Sequence, residues 1–531
     1  MKKDNNKALY VADVAFVGLG LSNAMTFLNY LHELVDEPPL HTMRLLLIER
    51  HPEHFTGVAY GPRSGTNALI INTLEEFIGD EERREFIAWI RKNEERLLKD
   101  FERAGGELSA QWIKTFRNVD EKTLETSLCV PRMFFGYWLR EQVFSMLTLA
   151  TELGVVDVQA VTDEVLDMSQ TPIGYSLDVQ GQPWSLLAEK IVLGVGPPAC
   201  RKLPYREGLQ PAESKRIVDN PYEHSICKLT VKMAHELCQK PQGDKPVNVL
   251  IVGSNASALE SSYLLFDQPG FQERVNKVFV LSPVGKFPNR RLNPVGQPAF
   301  EPVHLNQLKE QQGLKAKDIY TALEQDLKIW KQRLDCEDLP LFSSNKELMA
   351  LVNSLDRTEK QKFASIYGVM IGKYQRRAGD EYLDMADSME RLGKLEHVAG
   401  RIVEITSCDA TGSTIRYTPA DSVDPVVFHH PLSAIINCMG PVSLQDRQSE
   451  LIENLIHRGI CTVNSSGRGF VVGDDYSAAP NLIVTGPLIS GNVIRDQPVW
   501  HVEHAGRLTG IAKDVASKLH GDIVETFILT A

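Results

Sequence analysis

Cysteine is scarce in this chain and never grouped. The eight cysteines (Cys129, Cys200, Cys227, Cys238, Cys336, Cys408, Cys438 and Cys461) are scattered through 531 residues with no Cys-x-x-Cys pair. That spacing excludes a zinc ribbon or a disulfide framework and points to reduced thiols in a cytoplasmic protein. No apolar stretch reaches the roughly 18 residues of a membrane span. The opening Met-Lys-Lys-Asp-Asn-Asn-Lys leaves no room for a secretory apolar region before the first strand. Basic charge is in deficit, with 57 Lys and Arg against 69 Asp and Glu, a net charge of −12. The balance argues against a nucleic-acid partner and against an anionic membrane surface. The close histidine pairs, His429-His430 and His501-x-x-His504, lack acidic or cysteine partners at ligand spacing, so no metal is expected. Low-complexity tracts are absent, and with 43% hydrophobic residues the chain can build a large core without staples.

The chain does hold two segments that read as dinucleotide-binding openings. The first is Val14-Ala-Phe-Val-Gly18-Leu-Gly20-Leu-Ser-Asn23. Its apolar β-favouring run predicts a buried parallel strand. Gly18 permits the tight turn out of that strand, and Gly20 lets backbone approach a pyrophosphate. The helix that follows offers free N–H groups and a partial positive charge. Asn23 stands where Gly or Ala would let helix and strand pack closely, and Ala24 follows it. A second apolar run, Leu45-Leu-Leu-Ile48, ends in Glu49, an acid placed for the hydroxyls of an adenosine ribose. Ser22 and Asn23 at the helix start, and Arg50 beside Glu49, complete this candidate dinucleotide-binding set.

The second opening is Val247-Asn-Val-Leu-Ile-Val-Gly253-Ser-Asn255-Ala-Ser257-Ala258-Leu-Glu260. Gly253 serves the turn. Asn255 replaces the second glycine and tolerates positive φ better than other side chains. Ser257 and Ala258 keep the helix start small. The next strand ends at Ser282-Pro-Val-Gly285-Lys286 without an acid, and Arg290 and Arg291 follow. Positive charge there favours a 2′-phosphate, hence NADPH over NADH. Gly253, Asn255, Ser257, Ser282 and Lys286 are the candidate NAD(P)H-binding residues.

Two such openings in one α/β chain predict two Rossmann-like domains, with the NAD(P) domain and a helical insertion nested in a split FAD domain. The expected boundaries are residues 1–225 for the first part of the FAD domain, with a charge-rich helical insertion at about 76–118. The NAD(P) domain then covers 240–430, with a helical insertion at about 303–395, and residues 431–531 return to the FAD domain. Pro131 opens a helix. Strands are expected at 155–161, 175–179, 191–193, 277–281, 434–437 and 481–485, and a last helix from Trp500 to Leu519.

Further segments carry a family resemblance. They are Gly57-Val-Ala-Tyr60-Gly, the Asn72 region, Phe86-x-x-Trp89, Val130-Pro-Arg132-x-x-x-Gly136-x-Trp138, and Leu193-Gly-Val-Gly196-Pro-Pro. Asn220-Pro221, Gly400-Arg401-Ile, Asn437-x-x-Gly440-Pro441 and Leu482-x-x-x-Gly486-Pro-Leu488 follow. With the two openings, their order resembles the bacterial FAD/NAD(P)-binding oxidoreductases. More distantly the chain is similar to class B flavin monooxygenases and amine N-hydroxylases. The resemblance implies that Tyr60, Asn72 and Arg132 line the flavin side. It implies that Gly196 and Gly440 mark the passages between domains, and that Gly486 and Leu488 close over the flavin ring. It departs from the family at Asn23 and Asn255, at Val195, and at Pro283, where an arginine often stands. The implied activity is an FAD-dependent, NAD(P)H-consuming monooxygenase that hydroxylates a small nitrogenous metabolite with O₂. An FAD-dependent reductase or dehydrogenase without oxygen insertion is the alternative, and a non-catalytic nucleotide-binding protein the third reading. No catalytic side chain is identified, and the substrate and oligomeric state are not legible.

Overall fold

The computed structural model describes residues 11–183, 185–209, 216–222, 233–234, 236–237, 246–290, 300–334, 346–409, 412–502 and 505–530. Most of its strands form two large sheets, each built around one of the two openings. The first holds β1 (Val11–Val17), β2 (Met43–Glu49), β3 (Val156–Thr162), β4 (Val165–Thr171), β5 (Gly174–Val179) and β6 (Leu186–Leu193). The second holds β7 (Ile217–Val218), β8 (Val247–Val252), β9 (Val275–Ser282), β10 (Leu395–Asp409), β11 (Gly412–Pro419), β12 (Val426–Val427) and β13 (Ala434–Asn437). The chain then returns to the first sheet with β14 (Ser477–Ala479) and β15 (Leu482–Val484), the latter pairing parallel with β6.

In the first sheet β1 lies between β2 and β6, parallel to both. In the second, β8 lies between β9 and β13, again parallel to both. Both central strands are covered on two faces. Ala12–Val17 and all of Val247–Val252 are buried, which is why they read as continuous apolar runs rather than alternating ones. The C-terminal ends of β1 and β8 are therefore the crevices where an open α/β sheet takes a ligand.

The sheets correct one boundary. β13 pairs with β7 and β8, so the second sheet takes residues 217–218 from before, and 434–437 from after, the span 240–430 expected of it. The reason is physical: a buried apolar run ending near a glycine looks the same inside either sheet.

The helices that frame the sheets and insertions are, in chain order, α1 (Leu21–Asp36), α2 (Asp80–Lys92), α3 (Glu94–Ala104), α4 (Glu107–Phe116), α5 (Glu121–Thr126) and α6 (Arg132–Glu152). There follow α7 (Ala256–Phe266), α8 (Ala316–Leu334), α9 (Lys346–Ser354), α10 (Arg357–Lys362), α11 (Gly368–Gln375), α12 (Asp380–Arg391) and α13 (Ala505–Thr530). Helices α2 to α5 are the first insertion, which runs on to 126. Leu97, Leu98, Phe101, Trp112, Ile113 and Phe116 fill its inner face. Helices α8 to α11 form a lobe with its own apolar core, including Leu305, Ile319, Leu323, Val352 and Phe363. The last helix begins at Ala505, not at Trp500. Trp500 is instead buried against the lobe, its ring 5.4 Å from that of Phe363. A Cβ on Gly368 would stand 2.7 Å from the Trp500 ring, so α11 meets Trp500 at a position only glycine can occupy.

Candidate functional site

The two openings are built alike, and backbone hydrogen bonds give the register of the likeness. Gly18 N–H donates to Ile48 O at 2.8 Å, and Gly253 N–H donates to Leu281 O at 2.8 Å. Gly194 N–H reaches Val17 O at 2.9 Å, and Cys438 N–H reaches Val252 O at 2.7 Å. Gly18 has φ +80° and Gly253 φ +114°. A Cβ on Gly18 would stand 2.7 Å from Gly194 O, and one on Gly253 2.2 Å from Cys438 O. Both turns therefore need glycine twice over, for conformation and for space. The same register pairs Glu49 with Ser282, Asn23 with Ala258, and Gly196 with Gly440.

At the first opening α1 starts from Gly20 with no side-chain cap and no acid in its first turn, so its leading N–H groups are available to an anion. Gly57 forms the opposite wall. A Cβ on it would stand 2.9 Å from the Gly20 Cα, so two backbones meet there without a side chain between them. The buried Glu49 turns one carboxylate oxygen to Leu19 N–H at 2.7 Å and the other to His51 N–H at 3.2 Å. Ser22 is buried beside Gly486, whose Cβ, if present, would lie 3.3 Å from the serine side chain. Gly18, Gly20, Ser22, Glu49 and Gly486 thus share one mouth, with uncapped N–H groups, an acid and close backbone. That donor set fits a dinucleotide.

Asn23 lies behind this mouth. It is fully buried, and its amide donates to Gly18 O at 2.7 Å, Val192 O at 3.1 Å and Val17 O at 3.2 Å. Its Oδ1 accepts from the Thr485 hydroxyl at 2.7 Å. Where a small residue was expected, an amide ties β1, β6 and the returning β15 together, and Gly194 leaves it the room. Arg50 turns away to Glu164 at 3.3 Å. Asn72 donates to Glu76 at 3.4 Å. Leu488 is in the core, its carbonyl accepting from Phe470 N–H at 2.8 Å. Gly196 and Gly440 begin the two crossings between sheets. Those crossings run antiparallel to each other, with Arg201 N–H donating to Gly440 O and Val442 N–H to Ala199 O, both at 2.9 Å.

At the second opening α7 starts from Asn255, also without a side-chain cap or an acid in its first turn. Ser282 stands in the register of Glu49, and its hydroxyl accepts from Gly285 N–H at 3.1 Å. Lys286 is exposed on that loop. Arg290 is not free for a phosphate, because Asp380, Asp384 and Asp387 on one face of α12 hold its guanidinium at 2.8, 2.8 and 2.6 Å. Arg291 lies outside the described residues, as do Cys227, Cys238, Cys336 and His504. An arginine that the sequence did not single out takes the place: Arg376, just after α11, donates to Asn255 Oδ1 at 2.9 Å and is exposed. Nothing in its spacing could have found it, since it stands 121 residues along the chain from Asn255.

Arg132 joins the two openings. Its Nε–H donates to Leu69 O at 2.9 Å, and its Nη1 is 2.8 Å from Glu260 Oε2 on α7. The Tyr222 hydroxyl donates to the same oxygen at 3.1 Å. Burial holds the Glu260 carboxyl above the usual carboxylate range, with Arg132 and Tyr222 pulling the other way. Burial is also the main reason that the Tyr60 phenol is pushed up to about 12. Tyr60 is therefore a neutral hydroxyl at neutral pH, and Arg132 pairs with the second domain's helix.

The helical lobe docks on the segment after Gly486. Gln361 donates to Gly491 O at 2.7 Å, Arg468 donates to Ala364 O at 3.0 Å, and Lys360 pairs with Asp496 at 2.5 Å. Within it Glu324 Oε1 accepts from the Tyr374 hydroxyl at 2.7 Å and from the Tyr320 hydroxyl, and the Tyr367 ring lies 5.8 Å from that of Tyr320. Among the described residues no cluster of His, Cys, Asp and Glu could hold a metal, and no helix is long and apolar enough to cross a membrane.

Comparison with known proteins agrees with this geometry. Residues 15–198 match the FAD-NAD(P)-binding family. An uncharacterized protein of Mycobacterium tuberculosis is 28% identical over 518 residues, covering 96% of this chain and 95% of its own. Among solved structures, the L-lysine 6-monooxygenase of Pseudomonas syringae aligns over 96% of this chain and 99% of its own, with TM-score 0.54 at 13% identity. The ornithine N-hydroxylase of Kutzneria sp. 744 aligns over 96% and 99%, with TM-score 0.51 at 14% identity. The FAD-bound cadaverine monooxygenase of Erwinia amylovora aligns over 97% and 95%, with TM-score 0.52 at 12% identity. At these identities the structural likeness establishes the fold. Residues 15–198 carry the sequence of the FAD-NAD(P)-binding family, within a chain that shares the two-domain Rossmann-type fold of these solved structures.

Proposed function

We propose that the chain is an FAD-dependent, NAD(P)H-consuming monooxygenase acting on a small amine. The observation that carries the reading is the matched pair of openings, alike in register and unlike in chemistry. The first has Glu49 for a ribose and close backbone at Gly20 and Gly57, so it suits a resident FAD. The second has Ser282 and Asn255 in the corresponding places, with Lys286 and Arg376 near, so it suits a phosphorylated dinucleotide that comes and goes. A reduced flavin supplies the electrons and the oxygen activation when bound. The chain's own residues bind, orient and exclude water. Uncapped N–H groups of α1 and α7 would receive the two pyrophosphates, Glu49 would accept from ribose hydroxyls, and the docked lobe would shield the segment that follows Gly486. The balance is one substrate, one O₂, one NAD(P)H and one proton giving hydroxylated substrate, water and NAD(P)⁺.

The amine reading has its own support in Glu324. One of its oxygens accepts from the hydroxyls of Tyr320 and Tyr374, a carboxylate with two aromatic side chains beside it, an arrangement suited to an ammonium group. α11 carries Tyr374 two residues before Arg376, so the lobe brings this cluster and the second opening onto one short stretch of chain. The test begins with the purified protein. It should be yellow, release FAD on denaturation, and oxidise NADPH faster when the right amine is added, with O₂ consumed and a product heavier by one oxygen. A colourless protein that takes up no added FAD would remove the reading. Flavin bleached by NADPH, with no amine-stimulated O₂ uptake across a panel of amino acids, diamines and heterocyclic amines, would favour the reductase instead. Glu324→Gln should raise the KM for the amine about 10-fold or more while leaving flavin reduction intact, as loss of a charge-assisted contact does.

A further inference from the structure

Two carboxylates of the second domain are buried and a third, Glu381, is half-buried, and each is pinned by a group of the first. Glu260 on α7 meets Arg132 at 2.8 Å. Asp267, just past the end of α7, accepts from Ser109 N–H at 2.9 Å, from the Ser109 hydroxyl at 2.6 Å and from Gly106 N–H at 3.0 Å. It thereby caps α4 across the domain boundary. Glu381 on α12 accepts from Cys129 N–H at 2.9 Å, and the neighbouring Tyr382 hydroxyl bonds both Leu69 N–H at 2.7 Å and Leu69 O at 2.9 Å. Glu260 is 3% exposed, Asp267 1% and Tyr382 1%. The paired crossings at 199–201 and 440–442 add a fourth tie. Buried carboxylates hold their partners in fixed geometry, because leaving either side unpaired costs the full desolvation penalty.

We propose that Arg132, Glu260, Asp267 and Ser109 are positioning residues that lock the NAD(P) domain onto the FAD domain in a single orientation, so that hydride transfer proceeds in this arrangement without domain rotation. The proposal rests on reading the two openings as FAD and NAD(P)H sites. In the step itself a hydride, two electrons with one proton, leaves the dihydronicotinamide, which is oxidised, and reduces the flavin. Its rate depends steeply on how the two rings are presented to each other. The first insertion then has a role beyond covering the core. Helix α4 is a bracket whose N-terminus is completed by a residue of the other domain, and Tyr222 links Glu260 back to the first turn of α7, where Ser257 stands.

The experiment is anaerobic stopped-flow reduction of the FAD-loaded protein, by NADPH and separately by dithionite. Wild type is compared with the mild variants Ser109→Ala and Tyr222→Phe, and with the stronger Asp267→Ala, Glu260→Gln and Glu260→Ala. The expected result is an unchanged FAD content, an unchanged dithionite rate, and a limiting NADPH rate that falls about 3-fold in the mild variants and 10-fold or more in the stronger ones. Glu260→Gln, which keeps both acceptor contacts, should recover part of the loss seen in Glu260→Ala. Small-angle scattering of wild type should be the same with and without NADP⁺, and Asp267→Ala should broaden it. Wild-type NADPH rates in Ser109→Ala and Tyr222→Phe, together with unbroadened scattering, would overturn the lock. A protein that binds no FAD at all would instead remove the underlying reading of the openings, a different failure with a different signal.

Discussion

At the scale of single residues, the position that departs most from a dinucleotide opening is the one that ties it together. Asn23 stands where a glycine or alanine would let α1 settle on the sheet. Instead its amide satisfies carbonyls of β1, the turn and β6, and its oxygen takes the hydroxyl of Thr485. Asn23→Ala takes a partner from the Gly18 carbonyl and from the Thr485 hydroxyl in a fully buried site, so it should cost about 1–3 kcal/mol. Thr485→Val should cost less, and the double variant should cost less than the sum because both remove the same bond. Chemical denaturation of the three proteins measures the coupling; strict additivity would show that the Asn23–Thr485 bond contributes nothing. Arg376 makes a second prediction. Arg376→Glu puts a negative charge at the start of α7, where a dinucleotide phosphate would lie, so NADPH affinity should fall about 10-fold or more while FAD content stays constant. An unchanged NADPH dissociation constant by fluorescence titration would release Arg376 from that role.

At the scale of elements, close approach sets which residue types can stand where. A Cβ on Gly136 would lie 2.0 Å from Tyr60 O, so α6 touches the Gly57–Tyr60 turn backbone to backbone. Gly136→Ala must push that turn outward. Overpacking of this kind costs about 1–3 kcal/mol, and because the same turn supplies Gly57 to the first mouth, FAD retention should fall with it. Gel filtration followed by absorbance at flavin wavelengths reads the second effect. If flavin occupancy is unchanged while stability drops, the turn and the mouth are mechanically independent.

These elements also show where sequence reading succeeds and where it runs out. β1, β8 and their glycines were legible because a strand buried on both faces must be a continuous apolar run, and the turn after it must be glycine. Glu49 was legible as the acid at the end of β2, and the structure places it buried there, against Leu19 and His51 N–H. Arg132 was assigned to the flavin side by resemblance, and its contact with Glu260 could not be read, since the two meet only once both domains are folded. Strand β4 alternates weakly, with Met168 buried and Gln170 exposed, and left no periodic signal to find. β13 was found as a strand, but its apolar run carries no mark of which sheet it joins.

At the scale of the whole molecule, the domain interface makes stability depend on pH in a particular direction. Asp267, Glu260 and Glu381 are all held above the usual carboxylate range, in each case chiefly by burial. A carboxyl whose folded pKa is raised contributes stability that is complete below its unfolded pKa and is lost as pH rises through the folded one. Stability from these groups therefore falls from about pH 4 upward. Asp120 and Glu359, held below the usual range mainly by hydrogen bonds, act in the opposite sense but at pH values below that window. His54 and His397 are held low by burial and add stability as pH rises through the ordinary histidine range. Their contribution is common to wild type and to any interface variant, so a difference between two proteins cancels it. Asp267→Asn removes one raised carboxyl and keeps much of the cap on α4. The difference in unfolding free energy, wild type minus variant, should then decline as pH rises from about 4, by at most about 1.4 kcal/mol per pH unit. Urea unfolding at four pH values across that range gives the curve. A flat difference would mean that Asp267 is charged alike in the folded and unfolded chain, and that burial at the domain boundary does not govern its titration.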